Sequence, residues 1–299
     1  MRFADLELAR RLERAEGFAC AEFARARRRL DPESGSTWMR CGGAEVVFDG
    51  VDGPTTQTFG LGLFEELTAE TLREIEAFFF ERGTMAMHEV CPLVGAGALG
   101  LLCERGYRPV EVSNVLYREV EAPEVEAPAS AGGDGIRVRV VGEDEAELWG
   151  SVSARGWTHE HPELEEFVRQ MGALSVAREA SPCFLAEIDG VAGAAGGLTL
   201  HAGVALFGGA ATAPEMRRRG LQGALLRERM RYAAEAGCDL AMMVAEAGSN
   251  SQRNAERKGF RVAYTRVKWG LGAGDGGIAA TGRSGIERPL MPNGSVSNR

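Results

Sequence analysis

A short pattern recurs in this chain at an interval of about half its length. Glu104–Arg108, ERGYR, resembles Glu256–Arg261, ERKGFR, and aligning Gly106 with Gly259 gives an offset of 153 residues. At 299 residues, the chain also exceeds one ordinary domain of about 100–200 residues. We therefore predict a duplicated fold. The alternative is that two unrelated turns share a glycine followed by an aromatic residue.

The two copies differ in length at one strand-to-helix junction. Gly83 and Gly237, which each end a predicted helix, are 154 residues apart, whereas the preceding strand residues Phe59 and Phe207 are 148 apart. The second copy is therefore six residues longer between strand and helix, where Met216–Gly223 lies. This difference indicates that only the second copy has a specialised junction.

A segment rich in proline, alanine and glycine separates the two copies. It has no apolar periodicity and predicts an interdomain linker at 121–134. The chain accordingly divides into a first domain at 1–120 and a second at 135–271. At 272–299 glycine, serine and proline dominate and large apolar residues are few, which predicts a disordered tail.

Helical and strand-like runs alternate in both copies. Asp5–Leu30 has apolar residues at helical spacing and predicts an amphipathic helix or a pair of helices. In the second copy a helix is predicted at Leu221–Ala236, with Leu226, Met230, Ala233 and Ala234 at i, i+4, i+7 and i+8 along one face. The apolar run Asp239–Ala245 predicts a buried strand after it. The predicted fold class is α+β, with two domains that each carry a mixed, twisted sheet flanked by helices.

Composition excludes several functional classes. The formal net charge of −9 argues against bulk binding of nucleic acid or anionic membrane, because both reward a basic surface. No apolar run approaches the ~20 residues that span a bilayer, and the charged N-terminus is unlike a signal peptide. The six cysteines form no C-x-x-C pair and suit a reducing cytoplasm. We therefore expect a cytoplasmic protein without nucleic-acid or membrane partners, and the sequence leaves its oligomeric state open.

The longer junction of the second copy has the features of a phosphate-binding loop. It opens a helix with the sequence Arg217-Arg218-Arg219-Gly220-Leu221-Gln222-Gly223. Glycines let the backbone approach a ligand closely, a helix N-terminus carries partial positive charge, and the arginines add full charges. Together these features predict a pyrophosphate cradle. The alternative is an arginine-rich, solvated turn.

This junction resembles the motif of a known superfamily. Arg217-x-x-Gly220-x-Gln222 is similar to the R/Q-x-x-G-x-G/A motif of the GCN5-related N-acetyltransferase (GNAT) superfamily. Ser249–Phe260 is similar to the superfamily segment that ends in Gly-Phe. The resemblance covers about Ile136–Leu271. It implies a GNAT domain there, acetyl-CoA as cosubstrate, and transfer of an acetyl group to an amine.

The resemblance also implies roles for individual residues. Backbone amides near Ala210 and Thr212 are expected to pair with the pantetheine arm, and Ser251 and Asn254 to lie beside the thiol of CoA. The amides expected to bind the pyrophosphate are those of Arg217, Arg218, Arg219, Gly220, Leu221, Gln222, Gly223 and Ala224. Gln222 departs from the Gly or Ala of the motif, and its side chain is expected to narrow the cradle.

The catalytic positions depart further from the superfamily pattern. Many members carry a tyrosine four residues before the glycine of Gly-Phe, as general acid for the leaving thiolate, whereas this chain has Ala255. Tyr264 or an ordered water is the predicted substitute. The predicted general base is Glu246, at the end of a predicted strand. The alternative is that Glu246 is a surface carboxylate.

Two further segments bear on the acceptor. His159 and His161 with Glu163 have no third, distant histidine, so we expect no metal there. This segment either faces the acceptor or is a plain loop. The first copy has no arginine at its junction, Gly60–Leu67, and its acidic residues would repel phosphate. By resemblance it is a degenerate GNAT domain, which in tandem acetyltransferases often completes the acceptor cleft.

The sequence thus predicts an N-acetyltransferase that uses acetyl-CoA and acts on an amine of a small molecule or a protein. The alternative is a non-catalytic module that binds CoA or another ligand as a sensor. The cradle suits both functions, whereas Ala255 favours the sensor.

Overall fold

The computed structural model of the chain describes residues 2–51, 53–121, 135–158 and 162–272. The predicted linker beyond Glu121 and the predicted tail beyond Gly272 lie outside the described residues. His159 and His161 also lie outside them, so the predictions made for these segments stay predictions.

The described residues form helices and strands in an order that recurs along the chain. In chain order they are α1 (Leu6–Leu30), β1 (Thr37–Cys41), β2 (Ala44–Phe48), β3 (Gln57–Phe59), α2 (Ala69–Phe80), β4 (Ala86–Val90), α3 (Ala96–Glu104), β5 (Arg108–Glu119), β6 (Ile136–Val140), α4 (Ala146–Trp157), α5 (Glu165–Ala177), β7 (Cys183–Ile188), β8 (Val191–His201), β9 (Val204–Thr212), α6 (Leu221–Glu235), β10 (Leu240–Glu246), α7 (Asn250–Glu256) and β11 (Arg261–Leu271). The order α1-β1-β2-β3-α2-β4-α3-β5 recurs as α5-β7-β8-β9-α6-β10-α7-β11. This recurrence of element types agrees with the internal repeat of the sequence.

These elements divide into two units, and each unit draws on separate segments of the chain. Unit 1 comprises the described residues up to Leu116, Ala245–Gly248, and the described residues from Val262 onward. Unit 2 comprises the described residues of Tyr117–Val244, and Ser249–Arg261.

The sheet of unit 1 is mixed and includes β11. Its strand order is β1-β2-β3-β4-β11-β5. The pairs β1–β2, β2–β3 and β4–β11 are antiparallel, and the pair β3–β4 is parallel. In the β4–β11 pair, Val267–Leu271 face Ala86–Val90. Because of this non-local pairing, the division into units differs from the predicted domains at 1–120 and 135–271.

A single helix, α1, begins unit 1, which decides between the one or two helices that the sequence allows. Asp5 caps α1 by accepting a hydrogen bond from the Leu8 N–H at 2.9 Å. Leu8, Leu12 and Ala15 are buried, and the helix packs on the first strands of the sheet. The periodicity of the apolar residues therefore identifies the face of α1 that is buried.

The buried face of α1 also carries two carboxylates, which pair with β11. Glu13 and Glu16 form ion pairs with Arg266 at 3.2 and 2.6 Å. Arg266 also pairs with Glu89 of β4 at 3.0 Å. An unpaired buried charge is strongly destabilising, so β11 supplies the cation that these carboxylates require.

The sheet of unit 2 is also mixed, and helices cover both of its faces. Its strand order is β10-β9-β8-β7-β6, and only the pair β9–β10 is parallel. Ala195 of β8 packs with Trp149 of α4, whereas a Cβ at the next residue, Gly196, would lie 3.0 Å from Leu225 of α6. Successive strand residues point to opposite faces, so α4 and α6 flank the sheet. Both units thus have the predicted α+β fold.

Candidate functional site

The first part of the candidate site is a stretch of β9 that extends beyond its pairing with β10. β9 pairs with β10 at Val204–Leu206, opposite Leu240–Met242. Within the described residues both strands continue beyond this pairing, but Phe207–Thr212 of β9 does not pair with β10. Backbone groups on such an edge can pair with an added extended chain. Ala210 and Thr212, the predicted pantetheine positions, lie on this stretch.

A β-bulge changes the course of β9 in the same stretch. Between Gly208 and Ala211 two residues of β9 face one residue of β8, Gly196. Gly209, within the bulge, has a φ of +61°, in the left-handed region that glycine adopts without strain. A bulge redirects the backbone that follows it, here Ala210–Thr212.

The loop between β9 and α6 passes through two residues of left-handed conformation. A short 3₁₀ turn, Pro214–Met216, leads out of the strand. Arg218 then has a φ of +62° and Gly220 a φ of +85°. This conformation is costly for a residue with a side chain, so Arg218 is strained where glycine is not. Loops of mixed handedness form concave anion sites from their N–H groups.

The N-terminus of α6 is open to a ligand. Its N-cap residue is Gly220, and no side chain caps its first turn. The N–H groups of Leu221, Gln222 and Gly223 have no acceptor within the helix. The first bond of the helix runs from the Ala224 N–H to the Gly220 carbonyl at 3.0 Å. The free amides and the helix dipole together favour a bound phosphate.

The corresponding helix of unit 1, α2, has a different N-terminus. Thr68 caps it, and the Thr68 hydroxyl accepts a hydrogen bond from the Thr71 N–H at 3.1 Å. Glu70 lies in the first turn, where its negative charge opposes an anion. The open helix N-terminus thus belongs to the copy with the longer junction.

The three arginines of the loop play different parts. Arg217 is half-buried, and its guanidinium donates to the carbonyls of Thr212 and Gly156 at 3.4 and 3.3 Å. It therefore ties the loop to the end of β9 and to α4. Arg218 and Arg219 are exposed, and they place positive charge beside the open helix N-terminus.

Gln222, the departure from the superfamily motif, connects α6 with β9. Its Oε1 accepts a hydrogen bond from the Thr212 hydroxyl at 3.1 Å. The side chain is thereby held toward the end of the strand, while the backbone amide stays in the first turn of α6. This bond joins a predicted pantetheine position to a predicted pyrophosphate position.

α7 carries the residues predicted to lie beside the thiol of CoA. Ser249 caps this helix and accepts a hydrogen bond from the Gln252 N–H at 3.2 Å. Ser251 is half-buried and Asn254 is exposed, and both belong to unit 2 together with the loop. Ala255, at the position of the superfamily tyrosine, is 4% exposed. Its methyl group cannot donate a proton.

The two side chains predicted to be catalytic, Tyr264 and Glu246, both belong to unit 1. Tyr264 is 7% exposed, and its hydroxyl donates to Glu13 Oε1 at 2.9 Å. Burial, and next the nearby Glu13 carboxylate, raise the pKa of Tyr264 well above its usual value. Glu246 is exposed at the last residue of β10. The catalytic roles of both residues stay predictions, and Tyr264 also has a structural contact within the buried ion cluster.

The sequence pattern does not single out Arg229, which the structure buries in α6. The buried positions of this helix include Leu221, Leu225 and Arg229, spaced by four residues. Of the residues predicted along one face, Ala233 is buried, whereas Leu226, Met230 and Ala234 are half-buried, so the buried face is centred on Leu221, Leu225 and Arg229 instead. The four-residue spacing from Leu221 and Leu225 could have indicated that Arg229 is buried. An arginine is seldom fully buried, however, so its presence in a helix predicts an exposed position.

Two features are absent from the part of the chain that the structure describes. No helix there is both long enough and apolar enough to cross a membrane. No group of three or more His, Cys, Asp or Glu side chains there is arranged to hold a metal ion.

Known proteins resemble this chain in sequence over one segment and in fold over most of its length. Residues 143–260 match the model of the acetyltransferase (GNAT) family. No curated protein matches the chain. Among solved structures, a GCN5-related N-acetyltransferase from Kribbella flavida is 19% identical, with a TM-score of 0.57, and the similarity covers 85% of this chain and 96% of that one. A conserved protein of unknown function from Staphylococcus epidermidis is 10% identical, with a TM-score of 0.53 and coverage of 81% and 96%.

These similarities concern both the fold and the site. The solved structure from Kribbella flavida shows that the fold of the chain is shared by a GCN5-related N-acetyltransferase. The family match includes β9, the loop that follows it, α6 and α7.

Proposed function

We propose that this protein is an N-acetyltransferase that transfers the acetyl group of acetyl-CoA to an amine of a small molecule or a protein. Unit 2 binds the cosubstrate, with the pyrophosphate on the loop from Arg217 to Ala224. The match of residues 143–260 to the GNAT family supports this assignment. The N-terminal copy is the degenerate one, and its capped α2 supports that part of the proposal.

The observation that carries the proposal is the uncapped N-terminus of α6 at the end of β9. A pyrophosphate bound there receives hydrogen bonds from backbone amides and positive charge from Arg218 and Arg219. The pantetheine arm extends from it along Phe207–Thr212, where β9 has no pairing with β10. Main-chain hydrogen bonds hold an added strand in this way without regard to side chains.

The chemistry of the transfer sets what the other residues must do. The amine nitrogen attacks the thioester carbonyl carbon, the C–N bond forms, and the C–S bond breaks. The amine loses a proton, and the departing thiolate gains one. Glu246 is the proposed base. Tyr264 is the proposed acid, and its buried bond to Glu13 requires that its part in stability be measured separately.

Positioning accounts for most of the proposed catalysis. Bringing the amine and the thioester together in one geometry lowers the barrier without an acid or base. Backbone donors near the thioester oxygen stabilise the charge that develops there. The absence of a proton donor at Ala255 is therefore compatible with turnover.

A charge reversal in the loop tests the proposal. We expect Arg218→Glu combined with Arg219→Glu to raise the Kd for acetyl-CoA at least about tenfold, because two charge-assisted contacts become repulsive. Arg28→Glu combined with Arg29→Glu is the matched control, since it makes the same change of charge on exposed arginines of unit 1. Calorimetric titration measures affinity, and release of free thiol with a panel of amines measures turnover. Equal affinity in the loop variant and the control would contradict the proposed cradle.

The second candidate function is a non-catalytic sensor that binds CoA. The buried Ala255 favours it, because the residue that usually protonates the thiolate is missing. A sensor binds acetyl-CoA and releases no thiol with any amine of the panel. An enzyme releases thiol at a rate that depends on the amine.

A further inference from the structure

Arg229 lies in the middle of α6 and is 2% exposed. Its neighbours on the helix differ from it, since Arg227 is exposed and Arg231 pairs with Glu228 and Glu235. Burial lowers the pKa of the Arg229 guanidinium to about 10. The side chain is therefore charged at neutral pH although it is almost completely removed from solvent.

The guanidinium of Arg229 is held by carbonyl groups rather than by carboxylates. Its Nη1 donates to the carbonyls of Gly197 at 3.1 Å and Gly208 at 3.5 Å. Its Cζ lies 5.1 Å from the centre of the Phe207 ring, within the range of a cation–π contact. Within the described residues, no carboxylate forms an ion pair with Arg229. Burying a cation without a carboxylate partner is costly. We therefore ask what the contacts of Arg229 with β8 and β9 contribute to the site.

Those contacts lie beside the bulge of β9. Gly197 and Gly208 are the last facing pair of β8 and β9 before the register shift. Gly208 also lies beyond Leu206, where the pairing with β10 ends. A Cβ at Gly196 would lie 3.0 Å from Arg229 Nη1. The strand backbone is thus shaped around this side chain.

We propose that Arg229 is a positioning residue that fixes the stretch of β9 from Gly208 to Thr212 for the pantetheine arm of acetyl-CoA. β10 gives no support over this stretch, and the guanidinium holds Gly208 from the side of α6 instead. This inference rests on the proposed function. Arginine suits the task because its planar fork presents several donors in a fixed geometry, whereas lysine presents one compact charge.

Two ligands separate this role from a purely structural one. Acetyl-CoA uses both the loop and the edge of β9. By contrast, 3′-phosphoadenosine 5′-diphosphate has the pyrophosphate and lacks the pantetheine arm. A side chain that positions β9 affects only the first ligand, whereas a side chain that merely stabilises unit 2 affects both or neither.

The experiment measures both affinities for the full chain and for Arg229→Lys. We expect the Kd for acetyl-CoA to rise at least about tenfold and the Kd for 3′-phosphoadenosine 5′-diphosphate to stay within about twofold. Arg231→Lys is the matched control, because it makes the same change at an exposed position of the same helix. It should leave both affinities unchanged.

A second variant covers the case in which Arg229→Lys does not fold. Gly196→Ala keeps the arginine but crowds its guanidinium together with Leu225, because the new methyl group would lie 3.0 Å from both Arg229 Nη1 and Leu225 Cδ2. It should produce the same selective loss of acetyl-CoA affinity. The inference is overturned if a folded variant binds acetyl-CoA as the parent does, or weakens both ligands equally. If the parent itself binds neither ligand, the proposed function fails instead.

Discussion

At the scale of single residues, Gly220 is the position where a substitution separates binding from folding. Its φ of +85° disfavours any side chain, and a Cβ there would lie 3.2 Å from Ile136 Cδ1. A branched side chain would also stand between the first-turn amides of α6 and a pyrophosphate. We expect Gly220→Val to fold and to bind acetyl-CoA at least about tenfold more weakly than the parent.

The opposite end of α6 supplies the matched control for this substitution. Gly237 has a φ of +76°, and nothing lies within 4 Å of the position of its Cβ. Gly237→Val should therefore cost about 1–2 kcal/mol of unfolding free energy and leave acetyl-CoA affinity unchanged. Calorimetric titration and circular dichroism of both variants make the comparison. Undiminished binding by folded Gly220→Val would place the pyrophosphate elsewhere.

A second residue, Glu13, gives a prediction about stability and pH. It is 1% exposed, and burial, opposed by Arg266 and reinforced by Glu16, raises its pKa from 4.5 to about 7. The folded protein therefore holds the Glu13 proton more tightly than the unfolded chain does. The stabilisation from this group is complete below about pH 4.5 and is lost as the pH rises to about 7.

Glu13→Gln removes this titration and keeps an acceptor for the Tyr264 hydroxyl. We expect the unfolding free energy of the parent, measured relative to the variant, to fall between about pH 5 and about pH 8. Only the difference between parent and variant is informative, because His88 also makes the unfolding free energy depend on pH. Burial lowers the pKa of His88 to about 3, so stability falls as the pH drops below the usual pKa of histidine. Urea unfolding at both pH values measures the difference. A difference that does not depend on pH would contradict the prediction.

The helix start after the arginine-rich loop was predictable because its signal is contiguous. Arg217–Ala224 combines charge, glycine and a helix start within eight residues, and the structure has an uncapped helix N-terminus there. The bond from Thr212 to Gln222 and the surroundings of Tyr264 depend on distant segments. The buried bond of Tyr264 to Glu13 joins residues 251 positions apart, and no local pattern encodes it.

At the scale of elements, the sequence could predict features that depend on local signals but not features that depend on distant segments. The predicted helix Leu221–Ala236 and strand Asp239–Ala245 agree within one residue with α6 and β10. A glycine at the end of a helix and an apolar run are local signals, so the bounds they predict do not depend on tertiary contacts. The burial of Arg229 and the pairing of β11 with β4 depend on tertiary partners, and both were missed.

At the scale of the whole molecule, each unit is completed by a segment from the other half of the sequence. Unit 1 includes most of β11. Unit 2 includes the end of β5 and the residue after it, Val120, whose N–H donates to the Asp239 carbonyl at 3.0 Å. A chain ended after Phe260 keeps the carboxylates of the buried cluster and loses Arg266. Removal of one partner from a buried ion pair costs about 3–5 kcal/mol, a large part of the roughly 5–15 kcal/mol that holds a domain folded.

We therefore expect the chain ended after Phe260 to lose the slow hydrogen exchange of the α1 amides. A chain ended after Gly272 is the control, because it keeps all of β11 and should keep that protection. Native-state hydrogen exchange of the two shortened chains makes the comparison. Equal protection of α1 in both would show that β11 is dispensable for unit 1.

The place of β11 at the end of the described chain also has a consequence for synthesis on the ribosome. Domains generally fold in order from the N-terminus as the chain emerges at about 5–20 residues per second. Unit 1 cannot follow that order, because β4 acquires its second neighbour, β11, and Glu89 its arginine, only after residue 271 has been made. Until then the nascent chain has an unpaired edge on β4, and the carboxylates that pair with Arg266 in the folded protein have no such partner. Unit 1 therefore begins to be synthesised before unit 2 but is completed after it.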